Sequence, residues 1–437
     1  MDLQKLNKER VYVGNLTEKD DGKKVVVAGW VYDLRDLGKV RFIVLRDIKG
    51  EIQVTGIKGV TNDETFKLMS KLSRESVVVV FGTVKKSDKA PGKREITPES
   101  IEVLAVADNP IPIDVTDFSK TELSKRLDYR FLDLHRRKVQ AIFRVQSTIM
   151  QAYREFMIKE GAMEAQFPAI IGSSSEGGTE LFNVQYFEKK ACLSQSCQLY
   201  KQMLACSVEK IFALFTVWRA EKHNTIRHLN ESRQFDYEQA FADEFVVMDV
   251  LGRMVQYVVS RVIEQNKKEL DLLEVKIKVP SIKYMTFAEV ADMAKKQGVH
   301  VGKDDLSGEA EKELGKLYPE TVVFVHDWPL SGKPFYIMPK KVKKGEEISC
   351  GFDAIYRGME ISSGGQRVHL PDLLIERLKV KGLNPKDFKA YIDSFRYGAP
   401  PHAGWGVGLE RITMLILGLD NIREAVLFPR DRDRLTP

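Results

Sequence analysis

Two arginines frame the second half of the chain, and each stands where a strand hands over to another element. Arg219 follows the apolar run Ile211 to Val217. It opens a polar loop, Trp218-Arg219-Ala220-Glu221 through Arg227-His228-Leu229-Asn230-Glu231, before a second strand from Phe235 to Phe241. Arg411 closes Gly406-Val407-Gly408-Leu409-Glu410-Arg411, just past Pro400-Pro401-His402-Ala403-Gly404, which reads as a glycine-rich strand running straight into a helix. This pattern demands a sheet that presents two fixed guanidiniums. Such a pair suits a triphosphate, because arginine stays charged and offers a planar fork to phosphate oxygens.

With 437 residues the chain exceeds one ordinary core, so two or three domains are expected. Nothing near Met1-Asp2-Leu3-Gln4-Lys5 resembles a signal peptide, and no run reaches transmembrane length, so no membrane segment and a cytoplasmic location are expected. Cys192, Cys197, Cys206 and Cys350 fit neither a C-x-x-C pair nor a zinc spacing, and read as free thiols of a reducing cytosol. His223 and His228 share a loop without helical spacing, which argues against a transition-metal site. The net charge of +6 permits a nucleic-acid partner without arguing for one.

Short β-branched strands dominate residues 22–105: Lys24 to Val31, Arg41 to Asp47, Gly50 to Val54, Ser76 to Gly82 and Ser100 to Leu104. A helical segment near Asp63 to Leu72 precedes the fourth. That order is the order of an OB-fold, a partly open five-stranded barrel that binds single-stranded nucleic acid. A small barrel with no ligand fits the same pattern. The expected division is an OB-fold domain over 1–107, a linker over 108–136 containing Asn109-Pro110-Ile111-Pro112, and a catalytic domain over 137–437. The last opens with a helix near Lys138 to Lys159, whose apolar positions follow helical spacing. Residues at about 245–345, starting in a long helix from Glu244 to Leu270, read as an insertion on the core sheet.

The Arg219 loop and the Arg411 run, in this order, resemble motifs 2 and 3 of the class II aminoacyl-tRNA synthetases. Gly161-Ala162-Met163-Glu164-Ala165-Gln166-Phe167-Pro168 resembles motif 1, which lies at the dimer interface in that family. The match is best to the aspartyl-tRNA synthetases of the archaeal and eukaryotic type. The resemblance implies an α+β catalytic domain on an antiparallel class II sheet, plus an N-terminal five-stranded OB-fold β-barrel for the anticodon. It implies a homodimeric ligase that joins L-aspartate to ATP, with Mg²⁺, and passes the aspartyl group to tRNA(Asp).

Activation brings a carboxylate to the α-phosphate of ATP, so the site needs preplaced cations and a metal rather than a nucleophile or general base. The resemblance assigns Arg219 to the α-phosphate and the substrate carboxylate, and Arg227 with His228 to the outer phosphates. Glu221 would meet the adenine amino group, and Ala220 and Leu229 complete that part of the ATP site. Gly408, Leu409 and Glu410 lead to Arg411, which would stack on the adenine and reach the γ-phosphate; Gly404, Gly406 and Gly408 leave room for close approach. Glu360, within Arg357-Gly358-Met359-Glu360-Ile361-Ser362-Ser363-Gly364-Gly365-Gln366-Arg367, would hold Mg²⁺ with Ser363 beside it and Asp353 in support. A few hard oxygens suit magnesium, which keeps its waters.

Amino-acid choice is implied by Gln195-Ser196-Cys197-Gln198-Leu199-Tyr200-Lys201-Gln202, which resembles the aspartyl loop Gln-Ser-Pro-Gln-x-x-Lys. Lys201 and Arg367 would clasp the aspartate side chain. Two cations around a buried site reward a charged ligand and leave a neutral amide with unmatched donors. Gln195, Gln198, Arg219 and Ser363 would complete the aspartate site, and Glu176 and Asp236 would receive the α-ammonium. Cys197 replaces the usual proline, and Ser232-Arg233 stands where an aromatic is frequent.

In the barrel, Phe42, Gln53 and Glu95 match positions that read the anticodon. Phe42 offers a stacking face, with barrel core as its other reading. Pro91 and Tyr32 stand where strictly aspartate-specific archaeal relatives carry lysine and tryptophan. Pro91 matches the relaxed kind that charges tRNA(Asn) as well as tRNA(Asp). The rivals are an asparaginyl enzyme, which lacks the lysine at position 201, a paralogue that makes asparagine and lacks the barrel, and a non-catalytic RNA-binding paralogue.

Overall fold

The computed structural model describes residues 2–172, 180–340 and 347–437. The chain divides into two compact units, Met1–Asp114 and Val115–Pro437, each around its own core.

In the first unit, helix α1 (Leu3–Glu9) precedes five strands: β1 (Lys24–Asp36), β2 (Val40–Arg46), β3 (Glu51–Ile57), β4 (Val77–Lys86) and β5 (Arg94–Ala105). They form a closed barrel in the order β1-β2-β3-β5-β4, with β3 and β5 paired in parallel to shut the ring. Closure removes the free edges that an open sheet would expose. Period-two alternation explains the core: Ile43, Leu45, Ile52 and Val54 point inward and are buried. Helix α2 (Asp63–Met69) lies between β3 and β4, started by Asn62, whose side chain accepts the Thr65 N–H. β5 begins at Arg94, earlier than its β-branched stretch suggests, and so brings Glu95 beside Gln53.

The second unit opens with α3 (Leu123–Asp128), α4 (Arg130–Asp133) and α5 (Arg137–Lys159). After β6 (Met163–Glu164), a small sheet of β7 (Ile170–Ile171), β8 (Asn183–Tyr186) and β9 (Lys189–Leu193) leads to α6 (Gln198–Val208). The two strands flanking the Arg219 loop are β10 (Lys210–Trp218) and β11 (Glu231–Ala240). Then come α7 (Glu244–Gln265), α8 (Lys267–Leu273), β12 (Ser281–Thr286), α9 (Phe287–Lys296), α10 (Gly308–Leu317) and β13 (Thr321–His326). A short pair, β14 (Pro339–Lys340) and β15 (Ile348–Ser349), precedes β16 (Gly351–Tyr356) and β17 (Met359–Gln366). Helices α11 (Pro371–Val380) and α12 (Lys389–Arg396), the glycine-rich β18 (His402–Gly408) and α13 (Leu409–Leu417) finish the unit.

The main sheet runs β12-β13-β16-β17-β18-β11-β10-β6. Its central strands, β13 through β10, are antiparallel, as the class II resemblance implies. The edge pairings β12/β13 and β6/β10 are parallel, so the whole sheet is mixed. Helices α5 and α7 cover one face: Ile149, Tyr153 and Phe156 from α5 and Leu251, Val255 and Val259 from α7 share a core with Phe235, Tyr237 and Trp405. Tyr153 stacks on Phe235 at 4.0 Å and its hydroxyl donates to the Asp236 carbonyl at 2.8 Å, fixing β11 from behind. This corrects the insertion reading at its start, because α7 belongs to the main core. The long helix also breaks at Asn266 into α7 and α8. Further on, β12 and β13 extend the main sheet itself.

Candidate active site

Alternation along β11 sends Phe235 and Tyr237 into the core and Ser232, Gln234 and Asp236 to the other face. There they line a cavity of about 340 Å³ with residues of α6, the Arg219 loop, β17, β18 and α13.

One end of the cavity is built from buried charges. Lys201 is 1% exposed, which removes its reading as a surface lysine. Its ammonium donates to Asp236 Oδ1 at 2.9 Å and to the Trp405 carbonyl at 2.9 Å, and lies 3.5 Å from Glu238 Oε2. Arg367, 2% exposed, grips Glu238 through Nε at 2.8 Å and Nη2 at 3.1 Å. Burial acts to lower the Lys201 ammonium, but Asp236 and Glu238 outweigh it and hold it above its usual range. Burial likewise acts to raise Glu238, and Arg367 and Lys201 outweigh it and hold the carboxyl low. Lys201, Arg367, Asp236 and Glu238 form an ion-paired quartet before any ligand arrives. Gly404 serves this quartet: a Cβ there would fall 2.1 Å from Glu238 Oε2. That corrects its reading as room for a ligand. Gly406 and Gly408 do line the cavity.

Two polar atoms here await a partner. Asp236 Oδ2 is buried, and among the described residues its neighbour is the weakly donating Cys197 thiol, which burial raises far above its usual range. Gln198 Nε2, on the cavity wall, also lacks a partner among the described residues. An acceptor and a donor left unmatched in a dry site are costly unless a ligand completes them. Gln195 differs from expectation: it is fully buried, donates to the Glu180 carbonyl at 3.3 Å and is not part of the cavity wall. Glu176 lies outside the described residues.

The other end is cationic and open. Asn230 locks the Arg219 loop, its amide donating to the carbonyls of Arg219 at 2.7 Å and Glu221 at 2.9 Å. The Arg219 side chain, 36% exposed, lies 3.9 Å from Glu221. Arg227, His228 and Leu229 line the same end; burial lowers the His228 imidazole, opposed by Glu221 and reinforced by Arg411. Arg411, 30% exposed, donates to the Glu360 carbonyl at 2.7 Å and comes within 3.8 Å of the Glu360 carboxylate. Burial, with Asp353 in support and Arg411 opposing, pushes the Glu360 carboxyl up to about 7. The side chain is still 39% exposed, which screens part of that shift.

Three expected ATP contacts are placed differently. Leu409 is buried in the core. Glu410 is on the cavity wall, but its carboxylate accepts the Arg233 N–H at 3.1 Å, tying α13 to β11. Ala220 is off the wall, with its N–H donating to the Glu180 carbonyl at 3.1 Å. Of the departures noted in the sequence, Ser232 lines the cavity, while Arg233 turns to Glu231 and Glu410.

Among the described residues no group of three or more His, Cys, Asp or Glu could hold a metal. Asp353 is not the expected support, because Lys333 holds its carboxylate at 2.7 Å. Glu360 and Ser363 do face the cavity, and magnesium needs only one or two carboxylates when substrate phosphates and water complete its shell. On that donor chemistry they fit.

Gln234, Lys333, Tyr336 and Ile337 also line the cavity, and Glu238 holds Arg367, though no sequence motif marks these five residues. For Gln234 and Glu238 a signal existed: both continue the two-residue spacing through Asp236.

On the barrel, Phe42 is half-buried and lies outside the core cluster, which removes its core reading. It pairs with Thr55 across β2 and β3. Thr55 Oγ1 donates to Glu95 at 2.5 Å and Gln53 Nε2 donates to the same oxygen at 2.8 Å, so Phe42, Gln53 and Glu95 share one outer patch. Tyr32 lies under the Arg46 guanidinium at 4.2 Å, and Arg46 pairs with Glu75. Pro91 is exposed on a 3₁₀ turn over Pro91–Lys93.

The family model of tRNA synthetases class II (D, K and N) matches residues 122–432, and that of the OB-fold nucleic acid binding domain matches 25–104. The chain is 48% identical over 436 residues to the Aspartate--tRNA(Asp/Asn) ligase of Archaeoglobus fulgidus, covering 98% of this chain and 100% of that one. It is 46% identical over 435 residues to the Aspartate--tRNA(Asp) ligase of Pyrococcus horikoshii, covering 98% and 99%. Its structure is similar to that of asparaginyl-tRNA synthetase from Pyrococcus horikoshii complexed with asparaginyl-adenylate, with a TM-score of 0.92 and 36% identity over 98% of this chain and 100% of that chain.

Proposed function

The chain belongs to the class II tRNA synthetases, and from that premise we propose an aspartate–tRNA ligase whose two cavity ends divide amino-acid choice from chemistry. The observation that carries the reading is the buried Lys201–Arg367 pair sharing one cavity with Arg219 and Arg411. The high identity to aspartate ligases along nearly the whole chain agrees with it.

Aspartate lies with its side-chain carboxylate toward Lys201 and Arg367 and its ammonium toward Asp236 Oδ2, with Gln198 completing the polar wall. The α-carboxylate oxygen forms a bond to the α-phosphorus of ATP, and the bond from that phosphorus to pyrophosphate breaks. Charge grows on the phosphoryl oxygens, where Arg219 meets it; Arg227, His228 and Arg411 hold the departing phosphates. Glu360 and Ser363 would hold magnesium, which would supply further charge neutralisation there. The aspartyl carbonyl carbon then forms an ester bond to a tRNA hydroxyl as its bond to the α-phosphate oxygen breaks, releasing AMP and the hydroxyl proton. In asparagine an amide replaces the carboxylate and leaves the two cations facing a neutral group.

The barrel domain, residues 1–107, takes the anticodon through Phe42, Gln53 and Glu95; most of the expected 108–136 linker falls within the second compact unit, which begins at Val115 and carries the catalytic residues. Pro91 offers no hydrogen-bond donor to choose between pyrimidines, so tRNA(Asn) is a second acceptor. The relative from Archaeoglobus fulgidus carries both tRNAs in its name, and the one from Pyrococcus horikoshii only tRNA(Asp). The assembly is a homodimer through the motif 1 segment, where Met163 sits 48% exposed on an edge strand. Light scattering should give about twice the 49.8 kDa chain mass. Four free cysteines, among described residues in which no helix is long and apolar enough to cross a membrane, suit a cytoplasmic enzyme.

The test is charging of tRNA(Asp) and tRNA(Asn) transcripts with aspartate and ATP, side by side. Aspartyl-tRNA(Asp) is expected. No charging of either transcript while asparagine is attached would overturn the reading.

A further inference from the structure

Glu311 stands on α10, far in sequence from the three motifs, yet its carboxylate accepts the Glu360 N–H at 3.4 Å. That contact falls at a bulge. Ala354 pairs with Ser362 and Ile355 with Glu360, so Ile361 is an extra residue of β17. Bulges re-aim side chains next to active sites, and here the bulge leaves Glu360, Ile361 and Ser362 all on the cavity wall. The Glu360 peptide is gripped from both sides, its N–H by Glu311 and its carbonyl by Arg411 at 2.7 Å. The first turn of α10 also faces Arg227: a Cβ on Gly308 would lie 3.9 Å from Arg227 Nη1. Burial raises the Glu311 carboxyl above its usual range, helped by Asp305 and opposed by the Glu360 N–H, Arg227 and Arg411.

Resting on the ATP site proposed above, we infer that Glu311 is a positioning residue of the triphosphate end that fixes the Glu360 peptide and makes nucleotide binding depend on a divalent cation. Arg219, Arg227 and Arg411 attract phosphate there, while Glu360 and Glu311 repel it. Asp353, off the cavity wall and paired with Lys333, adds its own repulsion through Glu360. A triphosphate without a cation therefore faces the Glu360 carboxylate on the cavity wall with Glu311 behind it, and a bound divalent ion relieves both. Neutralising Glu311 removes one repulsive charge from bare ATP and one attractive charge from the cation.

The experiment is equilibrium binding of ATP to the full-length protein by calorimetry, at constant ionic strength, once with Mg²⁺ and once with chelator. Glu311→Gln keeps size and an acceptor for the Glu360 N–H but loses the charge. The gain in ATP affinity that Mg²⁺ gives should shrink about tenfold, from the loss of one nearby charge in a partly screened site. Glu311→Asp should restore most of that gain, and aspartate affinity should stay at the wild-type value in both. An unchanged magnesium gain in Glu311→Gln, or aspartate affinity falling in parallel with that for ATP, overturns the inference. Wild-type protein that binds neither ATP nor aspartate would instead fail the functional reading, so the two failures are distinguishable.

Discussion

The two ends of the cavity hold charges of the same kind in opposite conditions. Lys201 and Arg367 are 1% and 2% exposed and already ion-paired, whereas the Arg219 and Arg411 side chains are 36% and 30% exposed. A buried, prepaired cation cannot follow a moving charge, but it imposes a large penalty on a ligand of the wrong charge. A half-exposed guanidinium costs less to bring near phosphate and can follow the charge that develops during reaction. Amino-acid choice and fold stability should therefore be linked at the first end, and rate should be separable from stability at the second.

The largest effect should come from breaking the buried end. Lys201→Leu leaves Asp236 and Glu238 without one of their cations and should cost about 3–5 kcal/mol of stability. Preference for aspartate over asparagine should fall with it. Chemical denaturation, with competition assays using asparagine and succinamate, reports both; unchanged stability would mean that the quartet is not dry.

At the open end, Arg219→Ala should lower aspartate-dependent pyrophosphate exchange by about 10²–10³, as expected for one preplaced donor. Its melting temperature should stay close to wild type. Activity within about tenfold of wild type would sink its assignment.

A smaller effect, in pH, sharpens the contrast. The folded pKa of Glu238 lies below its unfolded value, so its contribution is present at neutral pH and is lost as pH falls through the folded value. The stability gap between wild type and Glu238→Gln should therefore narrow on acidification below the ordinary glutamate range of about 4.3. A gap independent of pH would show that Glu238 acts through shape alone.

The smallest effect belongs to the barrel. Pro91→Lys adds a donor and should bias charging toward tRNA(Asp) by about 1–3 kcal/mol, the worth of one direct base contact. If wild type already prefers tRNA(Asp) by more than about a hundredfold, roughly 2.7 kcal/mol, the enzyme is strict and Pro91 is not the cause of relaxed choice.

Some of this was legible in the sequence for physical reasons. The Arg219 loop and the glycine-rich β18 are contiguous, so their residue order carries their geometry. The barrel strands announced themselves by β-branching, and Lys201 stood in a recognisable loop. Glu238 was readable in principle, since it continues the alternation Gln234, Asp236 along β11, but a strand glutamate ordinarily faces water. The burial of Glu238 depends on Gly404 in a neighbouring strand and on Arg367 beyond β17. Lys333 and Glu311 had no local signal at all. They reach the site only because β13 joins β16 and α10 packs beside β17, contacts set by tertiary structure.

The central claim is that the buried cations at one end of the cavity select a charged amino acid. Wild-type ATP–pyrophosphate exchange with aspartate and asparagine, each at saturating ATP, tests it most directly. Exchange with aspartate should be at least about a hundredfold more efficient than with asparagine, roughly 2.7 kcal/mol of discrimination. Comparable exchange with both, or exchange with asparagine alone, would contradict it.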